Sequence, residues 1–327
     1  MTRGGTPPRE YRDYSVFGLK VRSSVALPEL FPVTGPGVPD VTVDLGRVAE
    51  GAPSGGDWLA EVDGALVLTI PGVGRYRIEA GRRITVDPKP GVPERNLRLF
   101  LLGSAFGVLL HQRGLLPLHA NAIEVDSQAV AFMGPSGAGK STLAAWFHDR
   151  GLRVIADDVC VIGFDEQGRP AAMPGLPRFR LWADALEMMG RDPQHFARSF
   201  LGDEHDKFDV PIEPVSAAQS HRFVAAIYLL DRGYEFSVER LRGVEAAEAV
   251  FANTYRGAYL SHTGGHKEHW ESAMRLVRGT PVFRAVRQWD PAALDEQCAR
   301  LLQHARELSR DRLADAVAVS SFPSRPW

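Results

Sequence analysis

Two cysteines, Cys160 and Cys298, are all that this chain carries. They cannot build a disulfide framework or a four-cysteine metal site, which fits a reducing compartment, and their plain use is as small apolar fillers. Lysine is nearly as scarce. Of 38 Lys and Arg residues only five are Lys (Lys20, Lys89, Lys140, Lys207 and Lys267), which leaves 33 Arg. Positive charge therefore sits almost wholly on the planar, always-protonated donor, and each lysine stands out. Neither sign of charge prevails: 38 basic against 40 acidic residues give −2, with a pI near 6.6. That balance supplies no general attraction to nucleic acid or to an anionic membrane. Long apolar runs are also missing. The opening MTRGGTPPRE lacks the apolar stretch of a secretory signal, and the run from Leu99 to Leu110 is too short to span a bilayer. The expectation is a cytoplasmic protein with neither a membrane nor a nucleic-acid partner.

What is present is ordinary in bulk. The chain has 327 residues, 44% hydrophobic and 24% charged, values of a globular protein on the scale of about two domains. Residues 1–13, rich in Gly, Pro and Arg, read as a mobile arm. From 14 to 93, short runs such as VFGLKV, VTVDLG, ALVLTI and RITV broken by Gly and Pro read as a small β-rich module. PKPGVPER forms a turn-rich boundary, and residues 94–318 form a second domain, with a tail at 319–327. The segment from Asn96 to Arg113, apolar on most sides, predicts a helix buried between two layers. After Gly114 the pattern becomes strand, strand, glycine loop, helix, strand, which argues for an α/β domain whose sheet is at least partly parallel. HRFVAAIYLL (221–230) reads as a further strand, and beyond Val244 the chain reads as helical. Asp290 and Pro291 open the last helix, with Leu294, Cys298, Leu301, Ala305 and Leu308 on one face.

The chemistry concentrates in one loop. Gly134, Pro135, Ser136, Gly137, Ala138, Gly139, Lys140 and Ser141 fit G-x-x-x-x-G-K-[ST], and Thr142 comes next. The apolar strand AVAFM precedes the motif and a helix-forming segment succeeds it, the context that a phosphate-binding loop requires. Small residues let successive backbone N–H groups turn onto phosphates, the helix N-terminus adds positive potential, Lys140 reaches the β and γ phosphates, and Ser141 can ligate Mg²⁺. VIADD places Asp157 and Asp158 only 17 and 18 residues after Lys140, one helix and one return strand away. The pair should arrive at the end of the adjacent strand, where consecutive residues face opposite ways and can divide their labour between metal and reacting hydroxyl. His119 lies on the strand before the loop. His262, His266 and His269 have a spacing that one helical face would allow, but Gly264-Gly265 interrupts it and no acidic or Cys ligand accompanies them.

His119, GPSGAGKS, the helix ending HDRGLR and VIADDVCVI together resemble the catalytic domain of the bacterial HPr kinase/phosphatase family. The strongest likeness runs from His119 to about Ile162, and KFDVPIEP with FVAAIYLL extends it. The resemblance implies a P-loop kinase domain of the HPr kinase/phosphoenolpyruvate carboxykinase type, with ATP and Mg²⁺ as cofactors and self-association. Residue by residue, it implies that Asp157 accepts the serine hydroxyl proton, that His119 sits close to that aspartate and tunes it, and that Asp158 with Ser141 forms the Mg²⁺ environment. The glycine-rich segment that succeeds the Asp pair in enzymes acting on HPr is replaced here by PGLPRFRLW. That stretch, LLHQRGLLPLHANA and the β module look closer to the HPr-kinase-like proteins of peptide-modification clusters, including lasso-peptide kinases.

The reading is thus an ATP- and Mg²⁺-dependent kinase acting on a serine of a peptide or small protein. Arg178 and Arg180 are candidates for contacts to the transferred phosphoryl or to an acidic peptide end, since guanidinium binds planar oxyanions bidentately. Lys207 is a candidate from the other side of the cleft. Two alternatives stay open: a small-molecule alcohol kinase on the same site, and a nucleotide-gated peptide-binding module.

Overall fold

Alternation of buried and part-exposed residues builds the first sheet. The computed structural model describes residues 10–49, 58–202, 206–213 and 221–320. Eight strands come first: β1 (Arg12–Val16), β2 (Leu19–Ser23), β3 (Phe31–Pro32), β4 (Val41–Leu45), β5 (Leu59–Val62), β6 (Ala65–Ile70), β7 (Gly74–Glu79) and β8 (Arg83–Pro88). They form one mixed sheet in the order β3-β1-β2-β4-β8-β7-β6-β5, with β4 parallel to both β2 and β8. Along β7, Gly74, Tyr76 and Ile78 are buried while Arg75, Arg77 and Glu79 are partly exposed, the pattern of a sheet with one covered face. β1 begins at Arg12, inside the stretch that composition assigns to an arm; residues 1–9 lie outside the described residues.

The cover is the apolar helical run expected at Asn96 to Arg113. It consists of α1 (Glu94–Phe100), a π-helical turn at Leu101–Ala105, and α2 (Phe106–Gln112). Leu101, Phe106 and Leu109 share one core with Tyr76, Ile78 and Val86 of the first sheet, and also with Val159, Val161 and Leu176 from farther along the chain. A helix apolar all round is thereby buried on both sides, and it cements the N-terminal sheet to the rest of the molecule.

The second sheet positions the site. Its strands are β9 (Leu116–Leu118), β10 (Ala120–Val125), β11 (Gln128–Met133), β12 (Val154–Ala156), β13 (Cys160–Phe164) and β14 (Pro170–Met173), then, beyond the small strands β15 (Arg178–Trp182), β16 (Ala197–Arg198) and β17 (Lys207–Pro211), β18 (Arg222–Arg232), β19 (Ser237–Leu241) and β20 (Val282–Arg287). The helices are α3 (Lys140–Asp149), α4 (Ala183–Met188), α5 (Gly243–Ala252), α6 (Leu260–Thr263), α7 (His266–Gly279) and α8 (Leu294–Ser320). The order is β12-β10-β11-β18-β14-β13-β9, with β20 between β18 and β19. β18 is parallel to β11 and β20 is parallel to β18. Because β10 is antiparallel to both β11 and β12, β12 also points the same way as β11. Four strands therefore deliver their C-terminal ends to one edge, the side where open α/β sheets bind ligands.

Side chains of β11 alternate between two helical layers. Val130 and Phe132 pack with Leu143 and Phe147 of α3 and with Cys298, Leu301 and Ala305 of α8. Ala129, Ala131 and Met133 face Ala246 and Val250 of α5 and Ala273 and Leu276 of α7. β15, β17 and β16 form a separate three-stranded sheet whose Phe179, Leu181, Phe208 and Val210 join the α3 side. The last helix starts as the sequence predicts: the Asp290 carboxylate accepts the Ala292 N–H at 2.9 Å, and a 3-10 turn, Pro291–Ala293, leads into α8. That helix reaches Ser320, while residues 321–327 lie outside the described residues.

Two expectations need correction. The chain beyond Val244 is not wholly helical, because VFRAVR returns as β20 and lies against β18. In addition, the strand before Asp157 does not adjoin the loop strand, since β10 lies between β12 and β11. The first is a missed strand inside a helical stretch, and the second concerns strand order, which local pattern does not encode. No helix among the described residues is long and apolar enough to cross a membrane.

Candidate active site

The loop after β11 has the backbone that its glycines allow. Gly134 has φ +152°, and a Cβ there would stand 2.9 Å from the Leu230 carbonyl oxygen; Gly139 has φ +77°, and a Cβ would meet the Arg287 guanidinium at 2.9 Å. At Gly134 the close atom is backbone and cannot give way, so only glycine fits; at Gly139 the left-handed backbone favours glycine. Lys140, the first residue of α3, is buried, and its ammonium donates to the carbonyl oxygens of Gly134 at 2.7 Å and Pro135 at 3.0 Å. Burial lowers its pKa to about 8, against the pull of Asp158 and Asp157. The Asn121 side-chain amide fixes the other end of this residue by donating to the Lys140 carbonyl.

Two further cations reach the loop from the parallel strands. Arg232, the last residue of β18, donates to the Gly137 carbonyl at 2.7 Å, and Arg287, the last residue of β20, donates to the Ala138 carbonyl. Neither stands out in the linear sequence. The signal that could have found them is positional, an arginine ending each of the two parallel strands β18 and β20, and it needs the strand order to be read.

Asp157 and Asp158 come directly after β12 and separate at once. Asp158 has φ +68°, so a left-handed turn, rather than strand alternation, divides the pair. Asp157 is 3% exposed; its Oδ2 accepts the Arg180 backbone N–H at 3.0 Å, and its Oδ1 is buried with no hydrogen-bond partner among the described residues. Burial pushes its pKa up to about 6, opposed by the Arg180 N–H and reinforced by the charge of Asp158. Asp158 lines the cleft. Burial works against its ionisation, but the Arg180 guanidinium, His119 and Lys207 prevail and hold its pKa at about 2. Arg180 donates to its carboxylate at 2.9 Å. One carboxylate is thus ionised at any working pH, and its neighbour titrates near neutrality.

His119 occupies the break between β9 and β10, where its N–H donates to the Asn253 carbonyl at 2.7 Å. Its Nδ1 is 3.2 Å from the Asp158 carbonyl oxygen and 3.5 Å from the Asp158 carboxylate, so the aspartate it meets is Asp158 rather than Asp157. Burial lowers its pKa, with the Lys140 charge adding to the fall and Asp158 opposing it.

The cleft has a volume of about 950 Å³ and is walled by Ser136, Gly137 and Gly139 to Thr142 of the loop region, His119, Asp158, Arg180, Lys207, Arg232 and Arg287, together with Trp182, Met188 and Trp289. Lys207 lies 4.7 Å from the centroid of the exposed Trp182 ring. Arg178 is elsewhere: its buried guanidinium donates to Asp209 at 2.7 Å, their side chains 10% and 9% exposed, and it is not part of the cleft wall. The two arginines of β15 thus part company through their partners, Arg178 taking Asp209 on the neighbouring β17 and Arg180 taking Asp158 beyond β12. The three histidines do not converge either. His269 is buried, its Nε2 at 2.7 Å from the Thr254 hydroxyl, while His262 lies on α6 beside Ser261, and no group of metal-ligating side chains forms among the described residues.

No family model matches this chain, and no curated protein does. Among solved structures it is similar to that of the Hpr(Ser) kinase/phosphatase from Coxiella burnetii, at 12% identity and a TM-score of 0.30, over 63% of this chain and 94% of that one. A likeness of that strength carries no argument about the reaction. The residues of the cleft have to carry it.

Proposed function

We propose that this chain is a phosphotransferase that moves the terminal phosphoryl group of ATP, with Mg²⁺, to a serine hydroxyl of a peptide or small protein. One observation carries the reading: Lys140 of a glycine-rich loop and the ionised Asp158 line one cleft at the edge of a sheet, and Asp157, next to Asp158 in the chain, is buried with its pKa shifted the opposite way. Phosphoryl transfer asks for positioning, charge neutralisation and a group that orients the nucleophile, and little else of the protein.

The donor set suits Mg²⁺. The Ser141 hydroxyl and the permanently ionised Asp158 are hard oxygen ligands, and this metal takes only one or two protein oxygens when phosphates supply others. ATP and Mg²⁺, when bound, supply the transferable group and offset its negative charge. Lys140 exchanges its two carbonyl partners for phosphate oxygens, and Arg287 and Arg232 hold the loop in shape from behind. Asp157 receives the proton of the acceptor hydroxyl; a pKa near 6 suits a proton acceptor at neutral pH, the nearby Ser141 hydroxyl favours its ionised form, and its Oδ1 is buried. That oxygen is covered in the ligand-free chain, and catalytic contacts commonly tighten only when substrates bind. The acceptor enters past Trp182, Met188 and Lys207, a wall that offers apolar surface, one cation and the carboxylates of Asp184 and Asp206.

The test is transfer from labelled ATP to a panel of serine-containing peptides and small alcohols, with mass spectrometry of the products. Phosphoserine in a peptide supports the proposal. Phosphate on small alcohols alone would replace the acceptor class, and nucleotide-dependent peptide binding without any transfer would replace the enzyme with a binding module.

A further inference from the structure

We infer that the exposed indole of Trp289 is the platform on which the nucleotide base stacks, and that the site reads the flat face of the base rather than its edge. This rests on the nucleotide-binding reading and extends it to residues that the phosphate loop does not include. Trp289 lies two residues beyond β20, at the same sheet edge as the loop, and is 59% exposed. A ring that large would lose less surface to water if it turned inward.

It is nevertheless held in place. Its ring atoms lie 3.4 and 3.5 Å from where a Cβ on Gly139 would stand, so the indole touches the last residue of the loop. The Arg232 guanidinium sits 3.7 Å from the ring centroid and at the same time donates to the Gly137 carbonyl. A cation on an aromatic ring is an attraction in its own right. Here it links the indole to the glycine-rich loop through a shared arginine, whose bond to Gly137 does not itself require the indole.

The polar side chains nearby are already engaged. The Gln288 amide donates to the Tyr234 carbonyl at 2.5 Å, and Gln297 Oε1 accepts the Gln288 N–H at 3.0 Å. The amides that might read the hydrogen-bonding edge of a base are thereby spent on backbone, while the indole, with Arg232 on one face, stands in the cleft wall with more than half of its surface exposed. Stacking on an aromatic ring tolerates any base, because every base has such a face. The ligand class is therefore a nucleoside triphosphate, with ATP and GTP accepted alike.

Calorimetric titration of the full chain with ATP, GTP and inorganic tripolyphosphate tests this, using wild type, Trp289→Ala and Trp289→Phe. Trp289→Ala is expected to weaken ATP and GTP by about 10-fold or more while leaving tripolyphosphate affinity unchanged, and Trp289→Phe is expected to recover most of the loss. Wild-type affinities for ATP and GTP should agree within several-fold. An unchanged ATP affinity in Trp289→Ala, an equal fall for ATP and tripolyphosphate, or strong preference for one base overturns the platform. If wild type binds neither ATP nor tripolyphosphate, the nucleotide reading itself fails and the platform falls with it.

Discussion

Replacing Asp157 with Asn should yield a protein that is more stable than wild type and nearly inactive. In the unfolded chain this carboxyl titrates at its ordinary 3.8; in the fold, burial raises it to about 6. Below pH 4 both states hold the proton and the group costs nothing. Between pH 4 and 6 the unfolded state releases a proton that the folded state keeps, and above 6 the fold carries a buried charge in full. At 1.36 kcal/mol per pKa unit, the two-unit rise amounts to about 3 kcal/mol at most. Asn has nearly the same shape, carries no charge, and can still accept the Arg180 N–H that Oδ2 accepts now. The variant is therefore expected to gain up to about 3 kcal/mol at pH 8 and almost nothing at pH 4. Loss of a proton acceptor should cost roughly 10²- to 10⁴-fold in transfer rate, with nucleotide affinity preserved. Urea denaturation of both proteins at the two pH values, beside a labelled-ATP transfer assay, reads all of this. A variant less stable than wild type at pH 8, or equally stabilised at both pH values, would refute the burial argument; full activity would refute the role.

Arg178→Ala should leave Asp209 with only the Ser199 hydroxyl at 2.5 Å and the Arg95 guanidinium at 3.8 Å and cost somewhat less than the ~3–5 kcal/mol of a buried carboxylate left wholly unpaired, with KM for nucleotide and acceptor unmoved in the protein that remains folded. A raised acceptor KM at unchanged stability would return this arginine to the cleft. Arg180→Ala removes the guanidinium that keeps the Asp158 pKa at about 2. Because that pKa is depressed, the stabilisation is present above the ordinary 3.8 and lost as pH falls through 2, so the stability gap between variant and wild type should narrow on acidification in denaturation curves; a gap independent of pH contradicts the pairing. Gly134→Ala forces a Cβ against the Leu230 carbonyl at φ +152°, which should cost about 1–3 kcal/mol and weaken tripolyphosphate binding, both measurable by thermal melting and calorimetry; unchanged melting would mean that the loop can relax.

Much of the cleft was legible in the linear chain because its chemistry is local. G-x-x-x-x-G-K-S needs only consecutive residues to form a loop, and it lies between a strand and a helix as its flanks predict. Lys140, His119, Asp158, Arg180 and Lys207 do line one cleft. Arg178 departs from the expectation because two guanidiniums two residues apart on a strand are long enough to choose different partners, and here one turned to Asp209 and the other to Asp158. His119 lies in the expected neighbourhood but beside the other aspartate, since the left-handed turn at Asp158 is a tertiary accommodation and leaves no mark in sequence.

The scarcity of lysine turned out to be informative where it meets the loop, and the abundance of arginine where strands end. By itself the sequence determined the glycine-rich loop between a strand and a helix, the alternating pattern of the first sheet, the buried helix that covers it and the cap of the last helix, because each depends on neighbours a few positions away. Only the tertiary structure decided which strand lies beside which, and therefore that Arg232, Arg287 and Trp289 stand around the loop. Strand order comes from the packing of whole layers rather than from local periodicity. The pKa values of Asp157 and Asp158 belong to the same class, because identical neighbours in sequence are separated by burial and by the company of Arg180.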